Sequence, residues 1–371
     1  MVLDLLINML TNNSLSALVQ HNSSIFKDRN APLLENLKQS WLKTRPLAGI
    51  RILHNIPLTY ETLVKLESLL AAGAELTVTQ AKFMQKQPDS DIVALLDRLG
   101  VCYVAAHEDI EGEFDIALDC CAEVINMSKV SITKGIVELT QSGSKRYEQM
   151  NTSFPVISVD DSNLKKLEGM YGTGESFIRA FKERTGQAMH SKPFMVFGFG
   201  KVGRGIVKYL LKETPHITVV DHSHEQLIDA KNMGLQVLHA SQMDAIRESA
   251  QSAFCLVTAT GKDHVLSQCL SSEICPQAII ANMGVDDEIG PNFNDEKILC
   301  NRMAINFSLK HPTLLHFIDP IFYAHNLGAQ LLLENNFAPG YHPFPGYLDD
   351  LIIKLWNQYN PMDISDIYSA H

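Results

Sequence analysis

Phe194-Met-Val-Phe-Gly-Phe-Gly-Lys-Val-Gly-Arg-Gly205, followed by Ile217-Thr-Val-Val-Asp221, reads as a strand, a glycine turn, a helix and a second strand closed by an acid. Gly198, Gly200 and Gly203 fall on the GxGxxG spacing, and Asp221 stands about twenty residues on, as a dinucleotide site requires. Gly198 lets the chain turn sharply off the strand. Gly200 leaves no side chain between the backbone and a pyrophosphate, and Gly203 lets the following helix pack close to the sheet. The helix that opens with Lys201 and Val202 offers its first N–H groups to an anion. A carboxylate at Asp221 accepts hydrogen bonds from a ribose diol and repels a 2′-phosphate, so the expected cofactor is NAD rather than NADP. His222 and His224 read as loop residues near the adenosine end.

The rest of the chain bounds what surrounds this motif. Its 371 residues are enough for two domains, each with its own core. A net charge of -11 argues against a nucleic-acid or anionic-membrane partner. No apolar run reaches membrane-spanning length. Met1 to Leu10 is apolar but carries Asp4 with no basic residue before it, which suits an amphipathic first helix better than a secretory leader. Seven cysteines without a CxxC pair fit reduced thiols in a cytoplasmic protein, with Cys120 and Cys121 as buried strand-end thiols rather than a strained disulfide. The fourteen histidines are scattered and no HExxH occurs, so no metal site is expected.

Apolar segments alternate with helical ones. Strands are expected at Ile50 to His54, Glu75 to Thr79, Val101 to Val104, Ile116 to Asp119, Gly135 to Thr140 and Val156 to Asp160. After the glycine motif they continue at Leu235 to Leu238, Phe254 to Thr260 and Ala278 to Met283. Residues 1–45 read as helical with polar breaks at Asn12-Asn13 and near Asn22, and Ala338 to Gly346 reads as a Pro/Gly-rich loop before a last helix. Such alternation predicts an α/β fold of two domains with mostly parallel sheets, ligands sitting at strand C-termini.

Several collinear segments resemble the S-adenosylhomocysteine hydrolase (adenosylhomocysteinase) family. They are Pro46-Leu-Ala-Gly-Ile-Arg-Ile, Tyr60-Glu-Thr, Gly73-Ala-Glu75, Lys134-Gly-Ile, Thr140-Gln-Ser-Gly143 and Asp161-Ser162. Tyr171-Gly-Thr-Gly-Glu-Ser176, the glycine motif, Thr258-Ala-Thr-Gly261, Asn282-Met-Gly284 and His311-Pro312 continue the series. The resemblance implies a Rossmann domain inserted in an α/β substrate domain: 1–174 substrate-type, 175–320 NAD-binding, and 321–371 returning as helices to the first. It also implies a recycled NAD. A nucleoside hydroxyl is oxidised, the neighbouring proton becomes acidic, a thiol is eliminated, water adds and the ketone is reduced again. The implied partners are a small nucleoside or thioether substrate and further copies of the chain in a homo-oligomer.

Cofactor residues carry over. Thr140, Gln141 and Ser142 resemble the family's threonine run at the nicotinamide end. Asn282 matches a residue beside the ribose, Thr258 and Thr260 end a Rossmann strand, and Asn306 is a further match. The acid/base residues do not carry over. Pro57 and Val285 stand where the family has histidines, Cys120 where it has an aspartate, and Leu139 where a glutamate binds the nucleoside. Thr173 replaces a cysteine and Gly169 an asparagine. Lys165 or Lys166, with Glu168, are the candidates for taking a hydroxyl proton, and His311 and His54 for replacing the lost bases. Three readings follow: a diverged NAD enzyme acting on a hydroxyl of a nucleoside-like or other small metabolite, a silent NAD-binding regulatory homologue, or a genuine hydrolase with relocated acid/base groups.

Overall fold

The structure, a computed structural model, describes residues 2–369, with side chains described over 13–368. The polar–apolar sorting expected for Met1 to Leu10 lies outside those side chains. The chain divides into two compact units, residues 1–165 with 315–363, and residues 166–314 with 364–371. The breaks expected from the sequence, 174/175 and 320/321, fall nine and six residues later than these, and the segment from Ile364 on, expected with the first unit, groups with the second.

The first unit holds seven strands: β1 (Arg51–Asn55), β2 (Glu75–Thr79), β3 (Cys102–Tyr103), β4 (Gly112–Asp119), β5 (Val130–Glu138), β6 (Pro155–Ser158) and, from the far end of the chain, β12 (Gly340–Pro343). They lie in the order β12-β6-β5-β4-β1-β2-β3, every pairing parallel. Strand order reverses between β1 and β4, because β2 and β3 extend one way and β5 and β6 the other. In open parallel sheets that reversal opens a crevice at the strand C-termini. Here Asn55 closes β1 and Asp119 closes β4.

Two sequence expectations fail here for identifiable reasons. The helix Val2–Ile25 runs through Asn12-Asn13 and Asn22 without a break. Asn22 is buried because its Nδ2 donates to Glu67 Oε1 at 2.8 Å. A tertiary partner therefore outweighs its weak helix propensity. The Pro/Gly stretch after Ala338 contains β12, which pairs with β6. Pro343 is tolerated because β12 is an edge strand, where a missing ladder N–H costs nothing.

The second unit contains β7 (Phe194–Phe197), β8 (Ile217–Asp221), β9 (Gln236–His239), β10 (Cys255–Thr258) and β11 (Ile279–Asn282). The order is β11-β10-β7-β8-β9, again all parallel. β7, β8 and β10 are buried at every position, so they read as continuous apolar runs, as parallel strands covered on both faces do. One face packs on Phe177, Phe181, Phe199, Ile206 and Leu210. The other packs on Ile246, Leu266, Leu270 and Ile289. The order reverses between β7 and β10, directly beside the glycine turn.

Candidate functional site: a dinucleotide cradle and a second crevice

The glycine turn follows the end of β7. Gly198 has φ +94, and a Cβ there would lie 2.3 Å from Ala259 O, so the turn needs both its backbone freedom and its missing side chain. Gly203 sits one turn into the helix Lys201–Leu210, and a Cβ on it would lie 1.9 Å from Gly198 O. Gly200 is the N-cap of that helix, and nothing lies within 4 Å of where its Cβ would be. Two glycines are thus filled by backbone and one faces open space, at the end of a helix whose first N–H groups have no intrahelical acceptors. Asp221 ends β8 almost fully buried, accepting from Phe199 N at 2.7 Å and from Ser223 N at 2.8 Å. These bonds fix the carboxylate against the glycine turn. The residues therefore fit a dinucleotide: an open pyrophosphate slot, a helix N-terminus behind it and a fixed acid for the ribose.

The remaining cofactor candidates of this unit fall into two groups. Thr258 Oγ1 donates to Asn282 Oδ1 at 3.0 Å, and both side chains are fully buried. Asn282 Nδ2 also donates to the carbonyls of Gly284, Asp286 and Arg302, so it organises the loop after β11. Thr260 is tied by its N–H and hydroxyl to Glu288 Oε2 at 2.7 and 2.8 Å. Asn306 is different. Its Oδ1 is buried and has no hydrogen-bond partner among the described residues. A buried acceptor left open is costly unless a ligand or water completes it.

Lys166 and Glu168 open a feature that sequence reasoning missed. Glu168–Thr173 is a π-turn between two α-helical segments, and such turns recur at functional sites. It packs on the cofactor helix through small residues: a Cβ on Gly205 would lie 2.3 Å from Met170 O, and one on Gly174 2.4 Å from the Gly205 backbone. Gly169 lies beside Lys201, its would-be Cβ 3.3 Å from Lys201 Cβ. Glu168 accepts from Thr173 Oγ1 at 3.3 Å. The pattern Gly-x-x-Gly-x-Gly within residues 169–174 was the available signal, since clustered small residues mark close helix contact. His311 is half-buried, and its carbonyl accepts from Arg179 at 2.7 Å.

The first unit carries Thr140, Gln141, Ser142, His54 and Lys165. Thr140 caps the helix Gln141–Glu148, its hydroxyl accepting from Gly143 N at 3.3 Å. Ser142 is half-buried and Gln141 exposed. His54 is fully buried, with Nε2 3.1 Å from Nζ of Lys65. Burial, then the charge of Lys65, drive its pKa well below the usual imidazole value. Lys165 is half-buried, its N–H donating to Ser162 O at 3.2 Å.

At the β1/β4 crevice sit two buried acids that sequence reasoning did not single out as site residues. Asp119 accepts from Asn55 Nδ2, Cys120 N and Tyr147 Oη. Burial, only partly offset by those bonds, raises its pKa to about 6. Glu138 accepts from the N–H groups of Cys121, Ala122 and Thr140, and burial followed by the charge of Asp119 pushes its pKa well upward. Two adjacent carboxyls cannot both ionise cheaply, so they titrate as a pair. An acid at the last position of each of two apolar strands was the legible signal.

One prediction arises at the cofactor acid. Asp221→Asn keeps the size of the side chain and removes its charge. A charged hydrogen bond contributes about 1.5–3 kcal/mol, so NAD affinity should fall about tenfold or more while NADP affinity changes less. Calorimetric titration with both dinucleotides reads the ratio. An unchanged preference would remove Asp221 from the ribose site.

No helix among the described residues is long and apolar enough to cross a membrane. Residues 169–305 match the family model described as S-adenosyl-L-homocysteine hydrolase, NAD binding domain. The chain is 27% identical over 280 residues to the adenosylhomocysteinase of Archaeoglobus fulgidus, covering 69% of this chain and 67% of that one. It is 24% identical over 373 residues to the S-inosyl-L-homocysteine hydrolase of Methanothermobacter thermautotrophicus, covering 87% and 88%. Among solved structures, a dipicolinate synthase chain from Bacillus halodurans superposes with a TM-score of 0.46 at 12% identity, over 78% of this chain and 99% of that one. With its glycine turn, its buried acid at the end of β8 and its matched cofactor domain, the chain is an NAD-binding protein similar, at low identity, to the S-adenosylhomocysteine hydrolases.

Proposed function

We infer that the protein is an enzyme that uses bound NAD for redox at a hydroxyl of a nucleoside-like metabolite, and that its substrate differs from S-adenosylhomocysteine. The observation that carries this is the asymmetry between the two halves of the motif set. The glycine turn and Asp221 keep the pattern a dinucleotide site calls for, while Pro57, Cys120, Leu139 and Val285 stand where the resemblance leads one to expect acid/base and nucleoside-binding groups. When bound, NAD supplies a reversible acceptor for the electrons of an alcohol. The chain must supply the proton traffic. Lys165 or Lys166 would take the hydroxyl proton, Glu168 on the π-turn would hold that lysine, and His311 is the candidate base. His54, enclosed in the first unit, is less suited to meet a substrate. That relatives include both adenosyl and inosyl enzymes supports a nucleoside whose base is not fixed as adenine.

Removal of one general acid or base costs on the order of 10²–10⁴ in rate. Loss of several together predicts S-adenosylhomocysteine turnover near background. The test is to add nucleosides and nucleoside thioethers singly to the NAD-loaded protein and follow reduction of the cofactor by absorbance. A compound that reduces the bound cofactor supports the reading. Homocysteine release from S-adenosylhomocysteine at an ordinary enzyme rate would overturn it in favour of a hydrolase with relocated groups. The second reading, a silent NAD-binding regulator, is favoured by the same replaced positions. It predicts cofactor retention with no reduction by any compound. A homo-oligomer and small-molecule substrates are further parts of the proposal, the former measured by light scattering.

A further inference from the structure

Cys120 and Cys121 follow directly on β4, at the point where strand order reverses in the first unit. We propose that they form a reversible two-thiol couple, with Cys121 the attacking sulfur and Cys120 the resolving one, oxidised by hydroperoxides. This is independent of the cofactor reading, since it rests on residues of the first unit alone.

Backbone geometry sets up the pair. Asp119 Oδ1 accepts from Cys120 N at 2.8 Å and turns the chain off the strand. Cys121 and Ala122 then both take left-handed conformations, with φ 63 and 49. That region disfavours residues with a Cβ, and non-glycine residues held there cluster at functional sites. The two strained residues aim their N–H groups at one carboxylate, Glu138, at 3.0 Å each. Successive N–H groups converging on one acceptor form a nest, and this one is filled from within the chain by the Glu138 carboxyl. The turn is therefore fixed from three sides, by Asp119, by Glu138 and by Arg146, whose Nη1 donates to Cys121 O at 3.0 Å.

The side chains fit the two roles. The sulfurs lie 3.8 Å apart. Cys121 Sγ lies 3.7 Å from Thr140 Oγ1. The thiol of Cys120, then the hydroxyls of Ser142 and Thr140, lower the Cys121 pKa against the opposing effect of burial. The same hydrogen bond and burial raise Cys120. A lowered attacking thiol beside a raised partner is the division of labour that reversible oxidation uses. Cys121 is 8% exposed and Cys120 1%, so the attacking sulfur is the one nearer solvent. The acidic groups facing the turn are the Asp119–Glu138 pair, which acts against thiolate formation at Cys120, and Glu123, which acts against it at Cys121.

The chemistry balances. The Cys121 thiolate attacks one oxygen of the hydroperoxide, the O–O bond breaks, and the leaving alkoxide takes a proton to become an alcohol. Sulfur is oxidised to the sulfenic acid. Cys120 sulfur then attacks Cys121 sulfur, an S–S bond forms, the S–O bond breaks, and hydroxide leaves with the Cys120 proton as water. Two thiols lose two electrons and the peroxide gains them. Neighbouring residues have Cα atoms about 3.8 Å apart, below the span of relaxed disulfides, so the bond is strained and readily reduced.

The protein is treated with tert-butyl hydroperoxide, unfolded in denaturant, alkylated, digested and mapped by mass spectrometry. The expected result is that two of the seven cysteines, 120 and 121, escape alkylation as one linked peptide and return with dithiothreitol. In Cys120→Ser, dimedone should label Cys121, because the sulfenic acid has no resolving thiol. Oxidation confined to the exposed Cys102 or to Cys300, with 120 and 121 still alkylated in the untouched wild-type protein, would overturn the proposal. So would dimedone on Cys120 in Cys121→Ser. The wild-type mapping does not depend on either variant folding.

Discussion

Gly200→Ala loses NAD and keeps its fold, whereas Gly203→Ala loses both. The two glycines are three residues apart, and the structure gives them opposite reasons for being there. At Gly200, φ is -74 and a Cβ meets nothing within 4 Å, so the substituted protein folds unstrained. Its methyl group then occupies the slot where a pyrophosphate approaches backbone N–H groups, and affinity should fall on the order of 100-fold, about 2.7 kcal/mol. At Gly203 the added Cβ would lie 1.9 Å from Gly198 O and 2.8 Å from Gly198 C. Both are backbone atoms of a turn already fixed by Ala259, so nothing flexible can yield. Overpacking of this kind costs about 1–3 kcal/mol or more. Thermal melts without added cofactor, paired with NAD titration, separate the two. Equal melting temperatures for both variants would contradict the packing account, and unchanged NAD affinity in Gly200→Ala would contradict the slot.

Lys65→Met should stabilise the first unit. Lys65 lies in the helix Tyr60–Ala71, fully buried, with Nζ 3.1 Å from His54 Nε2 and 5.8 Å from the ring centre of Phe322. No carboxylate among the described residues pairs with it. Burial alone drives its pKa well down. His325, also buried, has its pKa lowered first by burial and then by Lys65. Each of these bases binds fewer protons folded than unfolded. Stability therefore rises with pH across the interval between folded and unfolded values, and is lost as pH falls. For the two histidines the loss begins as pH drops through the unfolded value near 6.5. For Lys65 the interval reaches up to 10.5, so part of the available stability is missing at neutral pH. Replacing buried ionisable groups by apolar ones of similar size stabilises by about 1–4 kcal/mol. Urea denaturation of wild type and Lys65→Met at pH 8 and pH 5.5 measures both effects. A destabilised variant at pH 8 would mean that the amine makes a contact worth more than its desolvation cost.

Legibility in the sequence follows how local each signal is. The glycine cradle was readable because its physics is confined to one turn and one acid: Gly198, Gly200, Gly203 and Asp221 need only the strand, the turn and the helix between them. Strand ends were readable where apolar runs stop at a polar residue, as at Glu75 to Thr79, which is β2 residue for residue. Features set by distant partners were not. Asn22 reads as a break until Glu67, forty-five positions away, is seen to hold it. β12 reads as a loop because its order comes from β6, far back in the chain. The π-turn at Glu168–Thr173 has no periodicity of its own, being imposed by the close glycine contacts with the cofactor helix. Thr258 and Asn282 were both matched to cofactor roles, and the structure joins them to each other by a hydrogen bond. The carboxyls of Asp119 and Glu138 were in plain view, but only the β4–β5 pairing, which sets Asp119 opposite Glu138, makes them a pair.

The central claim is that the cofactor half of this molecule is intact. The most direct measurement is to purify the protein without added nucleotide, unfold it and identify what is released by mass spectrometry, then follow the melting temperature of the emptied protein as NAD is added. NAD in the released fraction, or a concentration-dependent rise in melting temperature with NAD and a smaller one with NADP, is the expected result. No released nucleotide together with no thermal shift would contradict it, and the cradle around Gly198, Gly200 and Gly203 would then be a packing feature alone.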